Sequence, residues 1–194
     1  MLLHTRCRGS VLIIAMVMLL LILLLGVSMT NIGMLSEKAA RNERDRKIAL
    51  LAAEAALIDA ELDLSNASDS QSRSAIFSAH STEGFIAECS RGNQHLYQGL
   101  CNSLNGQRTW QIVDFMAGSK DPVTVEFGCF TGQNMAVGNG PFPVKLPRYL
   151  IELTLDNAPG NLTYPHYLYR ITAIGYGNHV NTKAVIQSYY RKDD

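Results

Sequence analysis

The chain has 194 residues, and its 17 basic and 17 acidic side chains balance to a formal charge of zero. This length allows one domain of ordinary size together with an anchor. Nucleic-acid binding is a poor expectation, because contacts to phosphates need clustered Lys and Arg and neither half of this chain is strongly basic.

An uncharged apolar run occupies residues 10–36. At about 1.5 Å per residue, a helix over Val11–Met29 would extend close to 30 Å, which is enough to cross a bilayer. Arg6 and Arg8 precede the run, so the positive-inside rule predicts a cytoplasmic N-terminus. A secretory signal peptide is the alternative. Its apolar region is usually shorter, about 7–15 residues, and its small-residue cleavage site is poorly matched by "LGVSMTN".

The next segment, "SEKAARNERDRKIALLAAEAALIDAELDL", is dense in strong helix formers. Its larger apolar residues recur at alternating spacings of three and four, which is the pattern of one helical face. This apolar stripe, which we expect to pack on the chain's own β-sheet, consists of Ile48, Leu51, Ala55, Ile58 and Leu62. We therefore predict one continuous helix from about Ser10 to about Leu64.

The remainder of the chain contains five strand-like stretches, at about 109–116, 123–130, 148–155, 168–176 and 182–190. "RYLIELTL" alternates apolar and more polar residues, as a half-buried strand does. "GYGNHVN" predicts a hairpin between the last two strands, and "GNGPFPVKLP" predicts an exposed loop stiffened by proline. The predicted fold class is α+β, with the long helix packed on one face of an antiparallel sheet.

The four cysteines are Cys7, Cys89, Cys101 and Cys129. Cys89 and Cys101 bracket the loop "CSRGNQHLYQGLC", so they are the candidate disulfide pair. In an oxidising compartment a bridge closing a loop of roughly 13 residues stabilises by about 3 kcal/mol. The alternative is three buried free thiols, since cysteine packs as a small hydrophobe. Cys129, in the strand-like "VTVEFGCF", is expected to be buried and unreactive.

The sequence contains none of the catalytic motifs G-x-S-x-G, H-E-x-x-H and C-x-x-C, and it has no phosphate-binding loop. The five histidines lack ligand spacing, so we expect neither a catalytic site, a metal nor a cofactor. Three acidic residues, Asp59, Glu61 and Asp63, are expected to lie at a solvated helix end without converging on one face.

The sequence resembles the type IV pilin superfamily and, within it, PilX-type minor pilins. Three stretches carry the resemblance: "RGSVLIIAMVMLLLILLLGVS", "RNERDRKIALLAAEAAL" and the tail "YRITAIGYGNHVNTKAVIQSYYR". The resemblance covers about residues 6–64 and 168–191, and it does not extend to about residues 65–147. It implies a non-enzymatic structural subunit that takes part in assembly of a type IV pilus.

The resemblance also implies how the chain is processed and where it resides. A prepilin peptidase would cleave between Gly9 and Ser10, and the new amino terminus would be methylated. Residues 1–9 would be the leader, 10–30 the transmembrane part of the helix, 31–64 its amphipathic part and 65–194 a β-rich periplasmic domain. The chain would be anchored in the bacterial inner membrane and then enter the fibre, where its helix would contact other minor pilins and the major pilin.

One position departs from the pilin pattern. Most pilins carry glutamate at the fifth residue of the mature chain, where it neutralises the amino terminus of a neighbouring subunit, and here that position is Ile14. A carboxylate in hydrocarbon is costly without a partner, so its absence indicates a place at the fibre tip; the alternative is that Ile14 merely improves the anchor.

Two other functions stay open: a K-type minor pseudopilin of type II secretion, and a bitopic membrane-anchored adhesion or binding module.

Overall fold

A computed structural model describes residues 10–65, 73–78, 80–87, 89–90, 96–104, 106, 108–115, 122–138, 140–156 and 167–192. The chain forms two compact units, an apolar helical unit (Met1–Arg44) and a globular unit (Asp45–Asp194). The regular elements of the described part, besides two short 3₁₀ turns, are α1 (Ser10–Ser65), β1 (Leu100–Asn102), β2 (Val125–Glu126), β3 (Arg148–Leu155), β4 (Tyr167–Tyr176) and β5 (Lys183–Tyr190).

The sheet of the globular unit is mixed. Strands β3, β4 and β5 form an antiparallel meander, with Ile151 opposite Ile171 and Ala173 opposite Ile186. On the other side of β3, β2 pairs antiparallel with its start and β1 pairs parallel with its middle. The structure therefore has the predicted α+β architecture, with a sheet that is antiparallel except for the parallel pairing of β1.

The last three predicted strands and the hairpin between β4 and β5 are confirmed, whereas the first two are not. The stretch predicted as a strand at 109–116 begins instead with a 3₁₀ turn at Thr109–Gln111, and residue 116 lies outside the described residues. The stretch at 123–130 is a strand only at Val125–Glu126, because Gly128 turns the chain with a φ of +77°. Apart from Val125–Glu126, both stretches are buried in part without sheet pairing, which gives a loop the apolar alternation of a strand.

Both faces of β3 are buried, so the prediction that this strand is half-buried is wrong. Leu150, on the face away from α1, packs in a second core with Phe115 and the Cys89–Cys101 pair. Glu152 is completely buried on that strand, where it accepts hydrogen bonds from the Arg170 guanidinium at 2.8 and 2.9 Å. A buried charge needs a partner and hydrogen bonds, and the Arg170 guanidinium provides both, so Glu152 is tolerated at this position.

The helix packs on the sheet through small residues. Its fully or almost fully buried alanines are Ala49, Ala52, Ala53, Ala56 and Ala60. Opposite them lies Gly175 of β4, where a Cβ atom would come within 2.1 Å of the Ala49 carbonyl oxygen and 2.3 Å of the Ala53 nitrogen. Backbone therefore approaches backbone at this point, and neither partner has room for a larger side chain.

We expect Gly175→Ala to destabilise the globular unit by about 1–3 kcal/mol, because the added methyl forces the helix away from β4. The measurement is the denaturant midpoint of the full chain in detergent, followed by tyrosine fluorescence. Gly33→Ala is the matched control, since a Cβ at residue 33 meets no heavy atom within 4 Å in the described structure. Equal midpoints for wild type and Gly175→Ala would contradict this account of the contact.

Candidate assembly surfaces

The apolar helical unit exposes its large side chains on all sides. From Val11 to Leu35 these side chains are 50–72% exposed. Over the described residues α1 is the one helix that is long and apolar enough to cross a membrane. Ser10, which directly follows the predicted cleavage point, is the first residue of α1. Gly9, which precedes that point, lies outside the described residues.

Part of the apolar stripe does not pack on the chain's own sheet as expected. Leu51 is 64% exposed and Ile58 is 56% exposed, while Ile48, Ala55 and Leu62 are half-buried. The expectation that Leu51 and Ile58 pack on the sheet is therefore wrong. The close approach at Gly175 admits only alanines, so the larger side chains turn outward and leave an apolar surface on the globular unit.

Next to this stripe lies an apolar groove of about 260 Å³. One wall is the helix, with Ile48, Leu51 and Ala52, and the other is the loop that follows β2. The loop lines the groove with Met135, Ala136 and the segment 141–143. In the loop at 138–147, which the sequence predicts to be exposed, residues 140–142 and 145 are exposed, whereas Pro143 and Pro147 are buried. The stripe and this loop together present apolar side chains to the outside.

Two of the three acidic residues near the helix end, Asp59 and Asp63, do converge, contrary to the expectation, whereas Glu61 is half-buried and lies apart from them. Asp59 and Asp63 are 1% and 3% exposed, because residues four apart share one helical face. Asp63 is held by Arg73, whose Nε and Nη2 lie 2.9 and 2.6 Å from its Oδ2. The Tyr149 hydroxyl donates to the same oxygen at 2.9 Å, and burial raises the pKa of Tyr149, so this hydroxyl keeps its proton.

Arg73 connects the end of the helix to the loops. Its Nη1 donates to the carbonyl oxygens of Leu96 at 3.1 Å and Gln98 at 2.6 Å. The guanidinium carbon lies 4.0 Å from the ring centre of Phe130, in the geometry of a cation–π contact. The spacing of Asp59 and Asp63, in register with the alanine face, was the sequence signal for a buried pair. The partner Arg73 carries no such signal.

Asp59 contacts the turn after β2. It accepts hydrogen bonds from the Thr131 hydroxyl and, at 2.8 Å, from the Gly128 N–H. Burial raises the pKa of Asp59, and these two hydrogen bonds offset part of that rise. A Cβ on Gly128 would come within 1.9 Å of the Gln133 carbonyl oxygen, so this turn requires glycine for space as well as for its φ.

The predicted disulfide between Cys89 and Cys101 is confirmed. Both cysteines are buried in the second core, where they help to cover the outer face of β3. Cys129 is a free, half-buried thiol, and burial raises its pKa, so it is protonated and unreactive at neutral pH. The part of the chain that the structure describes brings no three His, Cys, Asp or Glu side chains together as metal ligands.

Asp45, the first residue of the globular unit, holds the turn between β4 and β5 in place by hydrogen bonds. It accepts hydrogen bonds from the Asn178 N–H and the Thr182 hydroxyl, and its Oδ2 lies 3.2 Å from His179 Nδ1. Burial by itself would raise the pKa of Asp45, but the hydrogen bonds from Thr182, Asn178 and His179 together outweigh it and lower the pKa below 3.8. The ionised carboxylate is therefore the form that the folded state prefers.

We expect Arg73→Met to destabilise the globular unit by about 3–5 kcal/mol, because it leaves the Asp63 carboxylate buried without a cation. Arg41→Met is the control: Arg41 pairs with Glu37, and the two side chains are 78% and 64% exposed, so its loss should be worth less than about 1 kcal/mol. The comparison uses denaturant midpoints of the full chain in detergent. Similar losses for both variants would show that the buried pair is energetically unimportant.

A second prediction concerns the stability of the globular unit at low pH. Because the pKa of Asp45 is lower in the folded state, its carboxylate stabilises the fold above the unfolded value of about 3.8, and this stabilisation is lost as pH falls through the folded pKa. Asp45→Asn should therefore be less stable than wild type at pH 7, and the difference should shrink below pH ~4. Unfolding midpoints measured between pH 7 and pH 3 test this, and a difference that stays constant with pH would contradict it.

Comparisons with known proteins give matches at both ends of the chain. A profile described as the N-terminal region of PilX matches residues 8–57. A second, described as the C-terminal part of the type IV pilus assembly protein PilX, matches residues 97–192. No curated protein and no solved structure gives a significant match. The N-terminal profile covers the apolar part of α1 and the alanine face as far as Ala56, and the C-terminal profile covers every strand of the described sheet. The chain therefore belongs to the PilX family of type IV pilus minor pilins.

Proposed function

We propose that this minor pilin takes part in the initiation and assembly of the type IV pilus, at or near the fibre tip, by packing its N-terminal helix against other minor pilins and the major pilin. The observation that carries the proposal is the exposed apolar surface of α1 between Val11 and Leu35. Such a surface needs either lipid or other helices around it, and a pilin meets both in turn.

The transfer from membrane to fibre exchanges one apolar environment for another. Lipid tails are as apolar as leucine, so the exchange itself provides little driving force, and close packing between helices has to supply it. The globular unit adds contacts of a different kind, because Leu51 and Ile58 are exposed to water before assembly. Covering them is favourable by roughly 25 cal/mol per Å² of apolar area removed from water. The apolar stripe is thus suited to hold a neighbouring pilin after the anchor has left the bilayer.

The place at the tip is supported by Ile14, which stands where most pilins carry the glutamate that neutralises a neighbouring amino terminus. A subunit at the tip has no subunit ahead of it whose amino terminus it must neutralise. Before assembly we place the chain in the bacterial inner membrane with the globular unit in the periplasm, where an oxidising environment suits the Cys89–Cys101 disulfide.

Processing is part of the same proposal. A prepilin peptidase removes residues 1–9 between Gly9 and Ser10, which frees the apolar segment to move from the membrane into a fibre. Mass spectrometry of the chain purified from cells tests this step. A methylated Ser10 at the amino terminus is the expected result, whereas an intact Met1, or cleavage near Ser28, would indicate an ordinary tethered domain.

Deletion of the gene tests the role in initiation. We expect surface pili to fall sharply while the major pilin accumulates in the membrane, because subunits are present but fibres do not start. Immunoblots of sheared and membrane fractions measure both pools. Unchanged piliation would contradict a role at the start of assembly, even if processing at Ser10 were normal.

The stripe is tested with the double variant Leu51→Gln, Ile58→Gln in cells that lack the wild-type chain. We expect normal folding, because both side chains are exposed, and fewer surface pili, because an apolar contact with a neighbouring pilin is lost. Glu54→Gln, on an exposed position of the same helix, is the control and should leave piliation unchanged. Equal piliation in all three strains would remove the stripe from the assembly surface.

A further inference from the structure

Strand β5 forms one edge of the sheet. Its eight residues, Lys183–Tyr190, pair with β4 along their whole length, and among the described residues no other strand pairs with β5. An edge strand carries a row of backbone N–H and C=O groups that can pair with a further strand. This edge is long, it contains no proline, and its only charged residue is Lys183 at the start.

The ladder fixes which backbone groups point outward. The Gly177 N–H donates to the Thr182 carbonyl at 2.8 Å, so these two residues form a hydrogen-bonded pair. Hydrogen-bonded pairs alternate along an antiparallel ladder, so Ala184 and Ile186 also direct their N–H and C=O groups toward β4. The N–H and C=O groups of Lys183, Val185, Gln187 and Tyr189 therefore point away from the sheet.

The opposite edge of the sheet is protected from pairing with another chain, in contrast to β5. Strand β1 has only three residues, and Ile86 bridges to it in parallel at Cys101. The Asn102 N–H donates to the Ile86 carbonyl at 2.8 Å, and the Ser90 N–H donates to the Leu100 carbonyl at 3.0 Å. One edge is thus short and covered by the chain itself, while β5 carries none of the proline or inward charge that blocks pairing.

The side chains of β5 specify what an added strand would look like. On the outer face, Val185 is 46% exposed and Tyr189 is 61% exposed. On the face toward the helix, Ile186 and Tyr190 are half-buried and pack against the main core. A neighbouring strand would cover apolar side chains on both faces, so the fitting segment is extended, mostly apolar and without charge in its centre.

We propose that the β5 edge is a docking site for an extended segment of another pilus subunit, which adds to the sheet as a sixth strand beside β5. The identity of the partner as a pilus subunit rests on the proposed function, while the mode of recognition rests on the edge itself. This contact is separate from helix packing, because it uses backbone hydrogen bonds of the sheet and none of the helical surfaces described above.

The test uses the full chain in cells that make the other pilus subunits. Tyr189→p-benzoylphenylalanine places a photo-reactive group at the edge, and Ile112→p-benzoylphenylalanine places one at another exposed position as the control. After irradiation, mass spectrometry maps the cross-linked peptides. We expect the group at residue 189, and not the group at 112, to label an extended segment of another pilus subunit.

The backbone contribution is tested in the same strain with Val185→Pro. Proline removes an N–H that points away from β4, so the β4 ladder stays intact while pairing with a partner is lost. We expect the cross-link yield at residue 189 to fall at least about tenfold, equivalent to about 1.4 kcal/mol. Val185→Thr keeps the N–H and should keep the yield within about twofold. If Val185→Pro does not form the Cys89–Cys101 disulfide, Val185→Lys replaces it, since a charge at an exposed edge also blocks pairing.

Several outcomes would overturn the proposal: normal cross-linking in both Val185→Pro and Val185→Lys, labelling of a helix of the partner, labelling of a second copy of this chain only, or no cross-link while pili assemble. Ser10 methylation and piliation are measured in the same cells. An unmethylated Ser10 or unchanged pili on deletion would refute the proposed function, whereas normal processing without a cross-link at the edge refutes only the docking site.

Discussion

The close contact between α1 and β4 is the constraint on which the rest of the globular unit depends. At Gly175 the sheet backbone meets the helix backbone, and a single methyl group would lie within 2.1 Å of the Ala49 carbonyl. Close packing of this kind maximises dispersion contacts, although alanine contributes little apolar area of its own. The larger core side chains, among them Tyr149 and Leu153, then fill the space beside the alanines.

The same contact determines what the helix can offer to other molecules. Because its alanine face is used internally, its leucine and isoleucine face is turned outward, with Leu51 at 64% exposure. An exposed contiguous apolar surface is unusual for a monomer and typical of a protein that has partners. The PilX family implies association with other pilins. The helix has two apolar surfaces of different side-chain size, and one packs internally while the other is exposed.

The C-terminal end of the helix is held by polar contacts, whereas its middle is held by apolar ones. Asp59 and Asp63 replace apolar residues on the buried face and connect the helix to the turn at Gly128 and to Arg73. Buried ion pairs contribute little net stability, but a broken pair is costly, so they favour one arrangement over its alternatives. Here the Asp63–Arg73 pair connects the end of the helix to the carbonyl groups of Leu96 and Gln98, and the hydrogen bonds of Asp59 connect it to the turn after β2.

The amino-acid sequence by itself determined the apolar span, the extent of α1, the last three strands and the Cys89–Cys101 pair, because each depends on periodicity or on residues close together in the chain. Only the tertiary structure decided that alanines, and not Leu51 and Ile58, face the sheet, that Asp59 and Asp63 are buried, and that residues 109–115 are not a strand. Each of these depends on how closely distant segments approach. Hydrophobic periodicity indicates which face of a helix is most apolar, whereas packing also depends on the size of the side chains on each face. The close approach at Gly175, more than a hundred residues away from the helix in sequence, limits the side chains opposite it to alanine.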